Sequence, residues 1–141
     1  MRYFDTSLLA AYYCPEALSK KAERLLLAQS HPAISNLTQV ELFSAAARKV
    51  REGNLSRRNA KKALTKFLEH LDGDFYSVHM LEPDHYVQGR NWIGTLDVPL
   101  RSLDALHLAV VFKAKMTLVT SNKGLAKAGR RFSIDVVLVT P

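Results

Sequence analysis

Two runs near the C-terminal end, TLVT at 117–120 and VVLV at 136–139, are dense in β-branched and apolar residues. Between them lies KGLAKAGR, which reads as a short helix. Strands that are apolar on both faces must be covered on both faces, as in parallel sheets. Strands joined through a helix run parallel. The pair therefore predicts an α/β chain with a central, mainly parallel sheet. The rest of the sequence fits. Short strands are expected at RYF (2–4), PAISNL (32–37) and DFYSVHML (74–81). Helices are expected at 6–13, at 15–29 with Pro15 at its start, and at 38–53 closed by Gly53. Further helices are expected at 55–71 with Ser56 as cap, at 83–94, and at 102–115 with Ser102 as cap. The length of 141 residues suits one domain, 1–141, and 48% apolar residues suffice for a core.

Several classes are disfavoured. No apolar run approaches the roughly 20 residues that span a bilayer. The opening stretch MRYFDTSLLAAYYCPEA breaks its apolar run with Asp5 and lacks a signal-peptide cleavage pattern. Cys14 is alone, and no Cys/His cluster has zinc spacing. A cytoplasmic protein is expected, with no membrane partner. The 20 Lys+Arg against 13 Asp+Glu are concentrated in two clusters, 48–66 and 113–131. Each alone reads as a solvated helix face. Together, with a net charge of +7, they favour a nucleic-acid partner.

In open parallel sheets, ligands bind beyond the carboxyl ends of the strands. Asp5 closes the first expected strand, Glu41 follows the second in the first turn of its helix, and Asn122 follows TLVT by two residues. Each has an ordinary reading: Asp5 as a helix cap, Glu41 as the partner of Thr38 in a T-x-x-E capping box, and Asn122 as a turn residue. Asp104 is harder to dismiss. It sits in LRSLDALHLA (100–109), within a helix apolar almost all round, where an unpaired carboxylate costs several kcal/mol. Its sequence neighbours Arg101 and His107 are possible partners, and His107 reads more readily as a hydrogen-bonded core residue than as a ligand. A metal shared with Asp5 is the sharper reading. Carboxylates without Cys or a positioned His suit a hard cation, Mg²⁺ or Mn²⁺. An acidic pocket inside basic surroundings is the layout of a nuclease.

The residues DTS at 5–7, Glu41 within LTQVELFSAA, LRSLDALHLA at 100–109 and LVTSN at 118–122 resemble the PIN-domain ribonucleases, and most closely the VapC toxins of toxin–antitoxin pairs. The resemblance spans essentially the whole chain. It implies a three-layer α/β/α sandwich and Mg²⁺- or Mn²⁺-dependent endoribonuclease activity. It places the family acids on Asp5, Glu41 and Asp104, with Asp5 and Asp104 on the metal. The fourth acid falls on Asn122, a departure that removes one charge. Thr6, Ser7 and Thr120 match hydroxyl positions beside the acids and, with Arg101, are candidate substrate contacts. The resemblance also implies an RNA substrate, a small antitoxin that covers the site, and a homodimer, for which Leu8, Leu9, Tyr12 and Tyr13 could supply an interface, although such residues are more often simply core. Two rivals stand beside it. One is an RNA- or partner-binding module weakened in catalysis by Asn122. The other is a structure-specific DNA nuclease, which the short chain disfavours.

Overall fold

In the computed structural model, which describes residues 1–141, strands and helices alternate as β1 (Arg2–Phe4), α1 (Thr6–Tyr13), α2 (Ser19–Leu27), β2 (Ala33–Ser35), α3 (Asn36–Arg51), α4 (Arg57–Asp72), β3 (Ser77–His79), α5 (Pro83–Gly94), α6 (Ser102–Lys113), β4 (Thr117–Thr120), α7 (Lys123–Arg131) and β5 (Val136–Leu138). The strands form one sheet, ordered β3-β2-β1-β4-β5, and every pairing is parallel. Side chains alternate between the faces of a strand, so neighbours in β1 serve two different cores. Phe4, Ile34 and Val119 pack with Leu8, Leu26, Leu42 and Phe67 from α1 to α4. Tyr3, Ala33 and Leu118 pack with Leu108 and Val111 of α6 and Leu125 and Ala128 of α7. Trp92 of α5 adds to that second layer by stacking on Phe132. The result is the three-layer α/β/α sandwich.

The chain builds outward from β1 to β2 and β3, then returns to lay β4 on the other side of β1. This reversal opens a crevice beyond the ends of β1 and β4, the place where sheets of this kind bind ligands.

Several local expectations change. The helix expected from Pro15 starts at Ser19, because residues 15–18 form a turn in which the Ser19 hydroxyl donates to the Ala11 carbonyl at the end of α1 (2.6 Å). Ser102 is the first residue of α6 rather than its cap. That position is Arg101, which makes no side-chain capping bond. The strand expected over 74–81 is only three residues long. Asp74 turns into left-handed backbone (φ 56°), and Tyr76 enters the core before pairing begins. The capping box of α3 is Ser35 with Thr38, not Thr38 with Glu41, since β2 runs straight into the helix at Asn36. Glu41 thus falls in the second turn with no capping duty. Leu8, Leu9 and Tyr13, considered as interface residues, are core. Gly53 (φ 76°) follows α3, and Ser56 caps α4, as expected.

Candidate active site

Asp5 leaves β1 and caps α1. Its Oδ1 accepts hydrogen bonds from Ser7 Oγ (2.6 Å) and the Leu8 amide (3.4 Å), and its Oδ2 accepts one from Thr120 Oγ1 (2.7 Å). The same two hydroxyls join the strand ends. Ser7 Oγ accepts from the Ser121 amide (3.1 Å), and Thr120 Oγ1 accepts from the Asn122 amide (3.0 Å). Asp5 is thus both helix cap and cleft carboxylate. Burial pushes its pKa up, against the opposing pull of Ser7, Thr120, the charge His107 can carry, and the Leu8 amide.

Glu41 reaches the cleft from α3. Its Oε1 accepts from Thr6 Oγ1 (2.7 Å) and from His107 Nε2 at very short range, which leaves Oε2 without a partner in the chain. Burial would raise its pKa, but the His107 hydrogen bond and charge and the Thr6 bond outweigh burial and hold it below the usual carboxylate range.

Asp104 comes from the first turn of α6. It makes no hydrogen bond and no ion pair within the chain. Burial raises its pKa. His107 and Arg101 pull it down, and the Glu41 carboxylate adds to the rise. The helix is not buried all round, contrary to what its composition predicts: Leu103 and Phe112 are exposed at its two ends, and Asp104 is half-buried.

These three carboxylates line one open cleft of about 530 Å³, together with Thr6, Ser7, His107 and Asn122. Arg48, Lys49 and Arg101 stand on its walls. No three His, Cys, Asp or Glu side chains close around a single point as a metal cage. The arrangement suits Mg²⁺ or Mn²⁺ all the same. Such ions are commonly held by one or two carboxylates, with water and substrate phosphate completing the shell. An unpartnered, half-buried carboxylate is a group that such a shell would satisfy.

Thr120 is fully buried and donates to Asp5, so it orients an acid rather than meeting a substrate. Thr6 and Ser7 line the cleft, but their hydrogens also go to Glu41 and Asp5. Asn122 caps α7, its Oδ1 accepting from the Leu125 amide (3.1 Å), which engages one of the two lone pairs of that oxygen. Arg101 is exposed at the rim. His107 overturns the expectation of a site without a positioned histidine. It pairs with Glu41, not with Asp104. Its signal was present in the sequence: three residues after Asp104 on a helix, it shares that residue's face.

A family model for the PIN domain matches residues 2–131. The chain belongs to the PIN-domain family. No curated protein of known function matches it by sequence. Solved structures do match. VapC20 of Mycobacterium tuberculosis, described as a sarcin–ricin loop cleaving toxin, superposes with a TM-score of 0.74 at 22% identity, over 100% of both chains. VapBC2 of Rickettsia felis, bound to a DNA fragment from its promoter, gives 0.71 at 16% identity, over 99% of this chain and 100% of that one. FitAcB of Neisseria gonorrhoeae gives 0.67 at 17% identity, over 96% of each. At these identities the likeness establishes the PIN fold shared with VapC toxins.

Proposed function

We propose that this PIN-domain protein is a metal-dependent endoribonuclease and the toxin of a toxin–antitoxin pair. One observation carries the reading: Asp104 brings a carboxylate with no partner in the chain into a cleft already lined by Asp5 and Glu41. Asp5 and Asp104 would hold the ion, Mg²⁺ or Mn²⁺. When bound, it makes a water more acidic and offsets negative charge on the phosphate oxygens. Thr120, Ser7 and the Leu8 amide fix Asp5 in place. Glu41, clamped through Oε1, offers Oε2 to the attacking water and accepts its proton. Water adds to phosphorus as the bond to the 3′ oxygen breaks and that oxygen takes a proton from solvent, leaving a 5′-phosphate and a 3′-hydroxyl. Asn122 holds the start of α7 and can orient water through its amide hydrogens. Arg48, Lys49 and Arg101 draw the RNA backbone over the acids.

The toxin role is supported by the fold shared with VapC20, with VapBC2 and with FitAcB. A small antitoxin that covers the cleft, and a homodimer, complete the proposal. Asn122, committed to its cap, motivates the rival reading of a binding module without turnover. The test compares wild type with Asp5→Ala on RNA and DNA pools, in Mg²⁺, Mn²⁺ or EDTA. Metal-dependent RNA cutting lost in the variant is expected. RNA binding that ignores both metal and the substitution would favour the binding module, and cutting of DNA alone would favour the DNA nuclease.

A further inference from the structure

His107 is the most deeply buried polar side chain to reach the cleft from α6, at 2% exposure, and the reaction above gives it no explicit part. Its ring is fixed at both nitrogens. Nε2 meets Glu41 Oε1, and Nδ1 lies 2.5 Å from the Tyr3 hydroxyl, itself fully buried on β1. The Tyr3 oxygen also lies 2.8 Å from Ser35 Oγ and 3.1 Å from Thr38 Oγ1.

Those two hydroxyls are the capping box of α3. Ser35 Oγ accepts from the Thr38 amide (3.4 Å), and Thr38 Oγ1 accepts from the Ser35 amide (3.1 Å). The hydroxyls are also 3.2 Å from each other. Each oxygen is already an acceptor from backbone, so its hydrogen is free to donate, and the Tyr3 oxygen is the nearer acceptor for both. The Tyr3 hydrogen then goes to Nδ1, which places the ring proton on Nε2, aimed at Glu41. In this arrangement every group from the helix cap to the carboxylate is satisfied, and all the hydrogen bonds point the same way.

We propose that Tyr3 and His107 are positioning residues that act through Glu41. The capping box of α3 sets the tautomer of His107 by way of Tyr3, and His107 with Thr6 pins Oε1 so that Oε2 faces the cleft. The mechanistic part rests on the nuclease reading. The hydrogen-bond chain does not, and the two parts are tested separately.

Imidazole ¹⁵N NMR on the metal-free protein, at a pH above the ordinary histidine range, reads the tautomer directly. A proton on Nε2 and an acceptor at Nδ1 are expected for His107, with the Nδ1 signal shifted in Tyr3→Phe. A proton on Nδ1 would overturn the chain. Single-turnover cleavage, on the RNA that wild type cuts fastest in a pool including tRNA, reads the role. His107→Leu should lower the rate constant about 10- to 100-fold, the usual effect of losing a residue that orients a catalytic group, with little change in the RNA concentration giving half-maximal rate. His107→Gln, which keeps an N–H donor, should recover much of the loss. Tyr3→Phe, which keeps the buried ring and so guards against a folding artefact, should show a smaller loss. In a Glu41→Gln background, His107→Leu should cost nothing further. A full additional loss there, or wild-type rates in both His107→Leu and Tyr3→Phe, would overturn the positioning role. If wild type does not cut, or Asp104→Asn cuts as well as wild type, the nuclease reading falls and takes the positioning role with it. Cutting that needs Asp104 but ignores His107 removes the positioning role alone.

Discussion

The Asp104 carboxyl has no hydrogen-bond or ion-pair partner in the chain. Burial and the nearby Glu41 carboxylate raise its pKa, against His107 and Arg101. A carboxyl with a raised folded pKa contributes stability below its unfolded value, about 3.9, and that contribution is lost as pH rises through the folded value. In EDTA, Asp104→Asn should therefore melt above wild type at neutral pH, with the gap closing as pH falls towards about 3.5. Solvent screening keeps the gain to about 2–4 °C at most. Added Mg²⁺ should raise the melting temperature of wild type and not of the variant. Thermal unfolding across pH, with and without metal, checks both. Asn122→Asp makes the opposite change. Aspartate caps helices as well as asparagine, so stability should hold, while an extra carboxylate at the cleft should lower the Mg²⁺ concentration giving half-maximal cleavage. A Mg²⁺ titration of cleavage reads this; an unchanged midpoint would remove Asn122 from the metal's surroundings.

At the scale of elements, the sequence located the strands and helices well and their starts less well. Pro15 looks like a helix start, but the Ser19 hydroxyl is drawn to the open end of α1 and delays α2 by a turn. The T-x-x-E pattern at 38–41 is real, yet Ser35 lies at the true junction and competes for the same cap. That shift of one helical turn matters for chemistry, because it releases Glu41. Asp5 was legible because it follows a strand end and Asp104 because it opens a helix, while Glu41 lies one turn deeper in α3 than its pattern suggests. The pairing of His107 with Glu41 and Tyr3 was not legible, because these residues lie far apart in the chain and meet only when β1 and α3 pack on α6. Two caps separate structure from function. Ser56→Ala removes only the bond to the Asn59 amide (3.1 Å), so it should cost about 1 kcal/mol by chemical denaturation and leave cleavage unchanged. Ser35→Ala should cost at least as much and also slow cleavage, since Ser35 donates towards Tyr3.

For the whole molecule, topology and charge act together. The sheet reverses its direction of growth beside β1, and the carboxylates gather at that crevice. The exposed face of α4 carries Arg58, Lys61, Lys62 and Lys66, and α7 adds Lys123, Lys127, Arg130 and Arg131. Acidic groups alone would repel RNA. On the proposed function, the basic helices would reverse that at longer range, where screening by salt is strongest. Lys61→Ala with Lys62→Ala should weaken RNA binding without regard to sequence and flatten its salt dependence by roughly 0.7 in log–log slope for each phosphate no longer neutralised. Filter binding across a salt series reads that slope.

On the proposed function, the unpartnered carboxylate of Asp104 is there to hold a metal used in cutting RNA. The most direct test is cleavage of a broad RNA pool by wild type and Asp104→Asn, each in Mg²⁺, Mn²⁺ and EDTA. Cutting by wild type in either metal, none in EDTA, and a loss of at least about 100-fold in the variant are expected. Cutting that persists in EDTA, or that the variant matches, would contradict that role.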